Sequence, residues 1–274
     1  MRIWLLLFAL VTGLSGPVSA GPRAVSVEVT GEGQALVVVL GGSEGGMPRY
    51  PALTSALHAK RLRVVHLGYF GFSGGPRHLS EIDLDPIAQA IRAQAPDRAC
   101  IGVIGVSKGA ELALMLAAHR DLSAATVAVV PSHVVWQSSK VALTARSSWV
   151  MDGQPVPFVP YTMLSRHALA AARDPNQAMP LHQQALRNSR AVDRARIPVE
   201  QIRQPVLVQG ALRDQIWPSA QMAQAILERV GQMRPSHGIM LKQYDHDHYL
   251  LQSPQARRDI VTFMGRHLGG CRAQ

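Results

Sequence analysis

One pentapeptide constrains this chain more than any other: Gly105-Val106-Ser107-Lys108-Gly109. The apolar run before it, 99–104, suits a buried parallel strand, and residues 110–119 after it are rich in strong helix formers. A serine inside Gly-x-Ser-x-Gly, at the joint of a strand and a helix, predicts a very tight turn. Such a turn lifts the serine oxygen over the carboxyl edge of a sheet and aims a helix N-terminus at it. Its neighbours must be small, which accounts for glycines two residues away on each side. Ser107 is therefore a candidate nucleophile.

The rest of the chain has the rhythm such a turn requires. Short β-prone runs at 35–40, 63–67, 99–104, 124–130, 205–210 and 238–244 alternate with helical stretches at 51–61, 84–94, 110–119, 219–230 and 255–268. Residues 25–29 alternate as a further strand. This pattern predicts an α/β fold, a mostly parallel central sheet with helices on both faces. Between residues 132 and 203 the rhythm breaks, with prolines at 155, 157, 160, 175, 180 and 198. Long structureless loops are uncommon in compact domains, so 132–203 reads as a cap insertion over the carboxyl edge. No internal repeat or low-complexity linker divides the remainder.

The first twenty residues stand apart. Met1-Arg2 supplies a positive charge, 3–14 is apolar, and Gly16-Pro17-Val18-Ser19-Ala20 offers small residues at a cleavage position. Residues 1–20 thus read as a signal peptide cut at Ala20/Gly21, with 21–274 as one domain that is exported, periplasmic or secreted. The apolar core is short for a membrane span, so no stable span is expected after cleavage. Export permits oxidation of the two cysteines, Cys100 and Cys271. Cys100 begins the strand into the elbow, and Cys271 follows a last helix running back to the same far edge. The sequence leaves open whether they pair. The net charge of +10 comes mostly from scattered arginines without a basic block or an aromatic-interleaved patch, which argues against nucleic-acid binding.

Two further residue types complete a constellation. Asp214 lies just beyond the 205–210 strand, and His246 and His248 follow the 238–244 strand. Serine, acid and histidine in that order is the α/β-hydrolase arrangement. A serine hydroxyl attacks poorly until an imidazole accepts its proton, and a carboxylate must fix that imidazole's tautomer. Of the two histidines His248 is preferred and His246 is the alternative; Asp247 is an alternative acid. Oxyanion donors are expected from the backbone N–H of Lys108 and from that of Ser43 or Glu44, in the loop Gly41-Gly42-Ser43-Glu44-Gly45-Gly46. That loop lacks the lysine and Ser/Thr ending of a nucleotide P-loop. The Lys108 side chain is expected to point away as a surface charge, and the other nine histidines to be ordinary surface or partly buried residues. No histidine pair has zinc-enzyme spacing, so neither metal nor cofactor is expected.

With these residues in place, the chain resembles the catalytic domain shared by acyl-CoA thioester hydrolases and bile-acid-CoA:amino acid N-acyltransferases. The resemblance rests on Leu40-Gly41-Gly42-Ser43-Glu44-Gly45-Gly46, Leu67-Gly68-Tyr69-Phe70-Gly71 and the run 104–114 around the elbow. It continues through Ile197-Pro198-Val199-Glu200, Pro205-Val206-Leu207-Val208 and Asp214-Gln215-Ile216-Trp217-Pro218-Ser219. It implies Ser107 as nucleophile, Asp214 as acid, and His248 as the histidine preceding an apolar pair and then a proline. The family's glycine before that histidine is Asp247 here. Serine in place of the transferases' cysteine favours water as acyl acceptor. The resemblance implies a small-molecule acyl ester or thioester as substrate. A peptidase or amidase on the same scaffold, or a binding protein retaining the fold, are the rival expectations.

Overall fold

The computed structural model describes residues 24–95, 97, 100–138, 144–233 and 238–271. The expected signal segment 1–20 lies outside the described residues. In chain order the elements are β1 (Ser26–Thr30), β2 (Leu36–Leu40), α1 (Pro51–His58), β3 (Arg63–Gly68), β4 (Ile82–Asp83), α2 (Leu84–Arg92), β5 (Ile101–Val106), α3 (Lys108–His119) and β6 (Ala125–Val129). There follow β7 (Trp149–Met151), β8 (Gln154–Pro155), α4 (Arg166–Arg173), α5 (Met179–Leu186), α6 (Ser189–Ala195), β9 (Val206–Ala211), α7 (Ser219–Met233), β10 (Ile239–Tyr244) and α8 (Pro254–Leu268).

Seven strands form the central sheet in the order β1-β3-β2-β5-β6-β9-β10. Only the β1–β3 pairing is antiparallel; every other pair in this sheet is parallel. Burial on both faces explains why the central strands read as continuous apolar runs rather than as alternation. Along β2, Leu36, Val38 and Leu40 enter one core with Ile87, Leu112, Leu116 and Ile226 from α2, α3 and α7. The alternate residues Val37 and Val39 enter a second core with Leu53, Leu57, Ile260 and Met264 from α1 and α8. The edge strand β1, half-exposed in alternation, keeps the period-two pattern the sequence shows there.

Between β6 and β9 the described residues build the short helices α4, α5 and α6 and the strands β7 and β8; β7 pairs with β4 on one side and with β8 on the other in a separate three-stranded sheet. This stretch has a small core of its own, in which Val134, Trp136, Val159, Ala185, Val192 and Ala195 pack with Trp217 and Met222. The last two belong to the loop after β9 and to α7, so the insertion is anchored on the main body. Cys100 and Cys271 form a disulfide with Cα atoms 5.1 Å apart. It ties the entry of β5 to the end of α8.

Candidate active site

The elbow is built by close backbone approach. At Gly105 a methyl group would collide with the carbonyl oxygen of Gly109, and at Gly109 with those of Leu40 and Gly41. Between them Ser107 adopts φ 56° and ψ −117°, a left-handed conformation that non-glycine residues rarely occupy. The surroundings hold it there. Its N–H donates to the carbonyl of Val129 on β6 at 2.9 Å, and its carbonyl accepts from Ala110 and Glu111 in the first turn of α3.

The loops after β9 and β10 bring two more side chains to this point. His248 Nε2 lies 3.0 Å from Ser107 Oγ, and its Nδ1 lies 2.8 Å from Asp214 Oδ2 and 3.0 Å from Oδ1. A carboxylate at Nδ1 fixes the proton there, leaving Nε2 free to accept from the serine hydroxyl. Asp214 is itself fixed, because Oδ1 also accepts the backbone N–H of Ile216 at 2.9 Å and of Trp217 at 3.2 Å. All three side chains are buried. His246 is not part of this chain of contacts; its ring faces the neighbouring Asp247. Asp247 in turn accepts the N–H of Tyr249.

The loop after β2 closes the other side. At Gly42 a methyl group would lie 3.1 Å from Ser107 Cβ, so the loop backbone passes close to the nucleophile. The N–H of Gly42 donates to Glu44 Oε1 at 2.9 Å. Neither Ser43 nor Glu44 gives its backbone N–H to another described residue. Lys108 is the first residue of α3, so its N–H has no acceptor within the helix.

The Lys108 side chain departs from expectation. Instead of a surface charge it is buried, with Nζ 2.7 Å from both oxygens of Glu111, itself fully buried. Glu111 Oε1 also accepts Trp149 Nε1–H at 2.6 Å and the N–H of Trp136 at 3.2 Å. Lys108 Nζ lies 5.5 Å from the centre of the Trp149 ring. Burial pushes the lysine's pKa down and the glutamate's up, and their mutual attraction opposes both. The reason is helical spacing: residues 108 and 111 are one turn apart on the face that meets the insertion.

Sequence reasoning also missed an aromatic group beside His248. Trp217 sits edge-on to His248 with ring centres 6.0 Å apart, Trp136 stacks on Tyr161 at 5.4 Å, and His182 meets Trp136 edge-on at 4.8 Å. His182 is buried, where a surface or partly buried histidine was expected. Its Nδ1 faces the carbonyl of Ala178 at 3.0 Å, so Nδ1 carries the proton and Nε2 accepts from Tyr161 Oη at 3.1 Å. Burial lowers its pKa to about 4. The signal that could have found this group was the concentration of Trp136, Tyr161 and Trp217 in a chain with few aromatics.

A groove of about 480 Å³ opens beside Asp214, between His167 and Ala170 of α4 and Met179 and Pro180 of α5. A second, of about 540 Å³, lies at the opposite edge of the sheet, by His119 at the far end of α3 and Arg203. Among the described residues no three His, Cys, Asp or Glu side chains are grouped to hold a metal ion. No described helix is long and apolar enough to cross a membrane.

Residues 90–256 match the family described as BAAT / acyl-CoA thioester hydrolase C terminal. Two curated relatives are 36% identical: acyl-coenzyme A amino acid N-acyltransferase 2 of Rattus norvegicus over 100 residues, and acyl-coenzyme A thioesterase 6 of Mus musculus over 101. Each alignment covers 34% of this chain and 23% of the relative, so the chain matches about a quarter of those proteins' length. Among solved structures, a monoacylglycerol lipase from Paleococcus ferrophilus superposes with a TM-score of 0.56 at 18% identity, covering 89% of this chain and 99% of that one. An esterase from Exiguobacterium antarcticum gives 0.58 at 15% identity, covering 90% and 96%. These likenesses show the α/β-hydrolase fold.

Proposed function

The chain belongs to the BAAT / acyl-CoA thioester hydrolase C-terminal family, and on that premise we propose that it is a serine hydrolase cleaving a small-molecule carboxylic ester or thioester through a Ser107 acyl-enzyme. The observation that carries the reading is the relay Ser107 Oγ–His248 Nε2–Nδ1–Asp214, with contacts of 3.0 and 2.8 Å. His248 takes the serine proton as Oγ attacks the acyl carbon, then returns it to the departing alcohol or thiol. Asp214 orients the imidazole and steadies its positive charge. The backbone N–H of Lys108, with that of Ser43 or Glu44, receives the oxyanion. Water, activated by His248, then releases the acid and regenerates the serine. No metal or cofactor enters this scheme.

In the same reading the 132–203 insertion is the cap that lines the acyl pocket, supported by its aromatic core reaching His248 through Trp217. Residues 1–20 direct export to the periplasm or beyond, and the disulfide fits an oxidising compartment. Incubation of the mature protein with a fluorophosphonate tests the central step. A single adduct on Ser107, missing from Ser107→Ala, is expected. Well-folded protein that takes no adduct would return the weight to a binding protein.

A further inference from the structure

The start of α4 leaves an apolar tip uncovered. Ser165 caps the helix, its Oγ accepting the N–H of Ala168 at 3.1 Å. The residue before such a cap and the fourth residue of the helix commonly pack on each other; here they are Leu164 and Leu169. That contact is not made. Leu164 is fully exposed and Leu169 is 55% exposed, with Met163 also exposed ahead of the cap. Within α4, all of it described, only Ala168 is buried, so the helix lies on the surface. Large aliphatic side chains gathered in the open in this way mark a contact surface.

Charge decides what this surface fits. Arg166, Leu169 and Arg173 follow one another at helical spacing, so they share one stripe of α4. Both arginines are exposed, and neither forms an ion pair with a described residue. The neighbouring carboxylate, Asp174, accepts instead from the Asn176 N–H and the Gln177 amide. Aliphatic side chains flanked by unpaired guanidinium groups match the two layers of an anionic bilayer surface, acyl chains within and phosphates outside. A guanidinium binds phosphate through paired hydrogen bonds, and the net charge of +10 draws the chain to such a surface. We propose that residues 163–173 dock the protein on a membrane of anionic phospholipid, with Met163, Leu164 and Leu169 entering the interface and Arg166 and Arg173 on the phosphates. His167 and Ala170 of the same helix line the groove beside Asp214, so docking brings the rim of that groove to the lipid.

Vesicle flotation tests it, with the chain from Gly21 onward. That chain contains every described residue and keeps the apolar run 3–14 out of the measurement. Vesicles of equal parts phosphatidylglycerol and phosphatidylcholine should carry the wild type, and phosphatidylcholine alone should carry far less. Leu164→Ser/Leu169→Ser should lower the partition coefficient by about tenfold or more. Arg166→Gln/Arg173→Gln should lower it by about fivefold for each arginine, on the anionic vesicles alone. Added salt should act in the same direction. Arg258→Gln/Arg266→Gln removes the same charge from exposed positions on α8 and should change binding far less. Circular dichroism checks that the variants fold.

Both cysteines are bonded to each other, so Leu164→Cys offers a single thiol for a polarity-sensitive dye. Its emission should shift to the blue on the anionic vesicles. Wild-type protein that ignores those vesicles, or a dye that stays unshifted on them, would overturn the proposal. Equal losses in the α4 and α8 arginine variants would also overturn it, by assigning binding to net charge. So would a dimer in sedimentation velocity that depends on Leu164 and leaves vesicles unbound, which would give the tip to a second copy of the chain. None of these readouts involves turnover. Vesicle binding by a protein that takes no fluorophosphonate would sustain the docking proposal and leave the serine-hydrolase reading to fall alone.

Discussion

Lys108, the residue that follows Ser107 in the chain, places its ammonium 2.7 Å from both carboxylate oxygens of Glu111. The pair joins the elbow to the insertion, because Glu111 also takes hydrogen bonds from Trp149 and Trp136. A buried ion pair is weak evidence for stability, but half of one is costly.

Lys108→Met should therefore destabilise the protein by about 3–5 kcal/mol by leaving the Glu111 charge unpaired. The double variant Lys108→Met/Glu111→Leu should recover much of that loss, since it removes both charges. Urea unfolding of the two variants against wild type measures this. A single variant no worse than the double would contradict the picture.

Ser107 is held at φ 56°. Strain of this kind costs roughly 1–3 kcal/mol in a residue with a Cβ and little in glycine. Ser107→Gly should therefore be more stable than Ser107→Ala by about 1 kcal/mol, although neither should turn over ester. Equal unfolding midpoints for the two would show that the elbow is not strained.

Asp214 bonds to His248 and to two backbone N–H groups at once. Asp214→Asn keeps the shape but can present an N–H to Nδ1, which favours the wrong imidazole tautomer. Ester turnover should fall by about 10⁴-fold, with far-ultraviolet circular dichroism unchanged. Activity within tenfold of wild type, a threshold of about 1.4 kcal/mol, would remove Asp214 from the scheme.

His182 has its pKa lowered by burial from the ordinary 6.5 to about 4. Between those values the unfolded chain binds a proton that the folded protein refuses, so stability falls as the pH drops through this window. The loss should reach roughly 2–3 kcal/mol near pH 4. His182→Gln should flatten that part of the curve in urea unfolding at pH 4, 5, 6 and 7. An unchanged slope would assign the acid sensitivity to other groups.

Much of this architecture was legible in the residues. Continuous apolar runs such as 36–40 and 101–106 mark strands buried on both faces, and Gly105 and Gly109 mark the turn because only glycine fits there. Asp214 and His248 could be placed because loops after parallel strands gather at one sheet edge. What the sequence concealed were contacts between distant segments. Nothing local to Lys108 says that Trp149 and Trp136 will cover it, and helix spacing alone does not distinguish a solvated Lys–Glu pair from a buried one. His182 likewise becomes buried only when Tyr161, Trp136 and Trp217 come together from separate segments.

The Cys100–Cys271 bond also has a topological consequence. Ser107, Asp214 and His248 all lie between the two cysteines, inside a single covalent ring. A protease that clips the chain once anywhere within that ring, in the exposed stretch around Leu164 for instance, opens the ring without dividing the molecule. Both fragments stay tethered, with the nucleophile on one side of such a cut and its histidine and acid on the other.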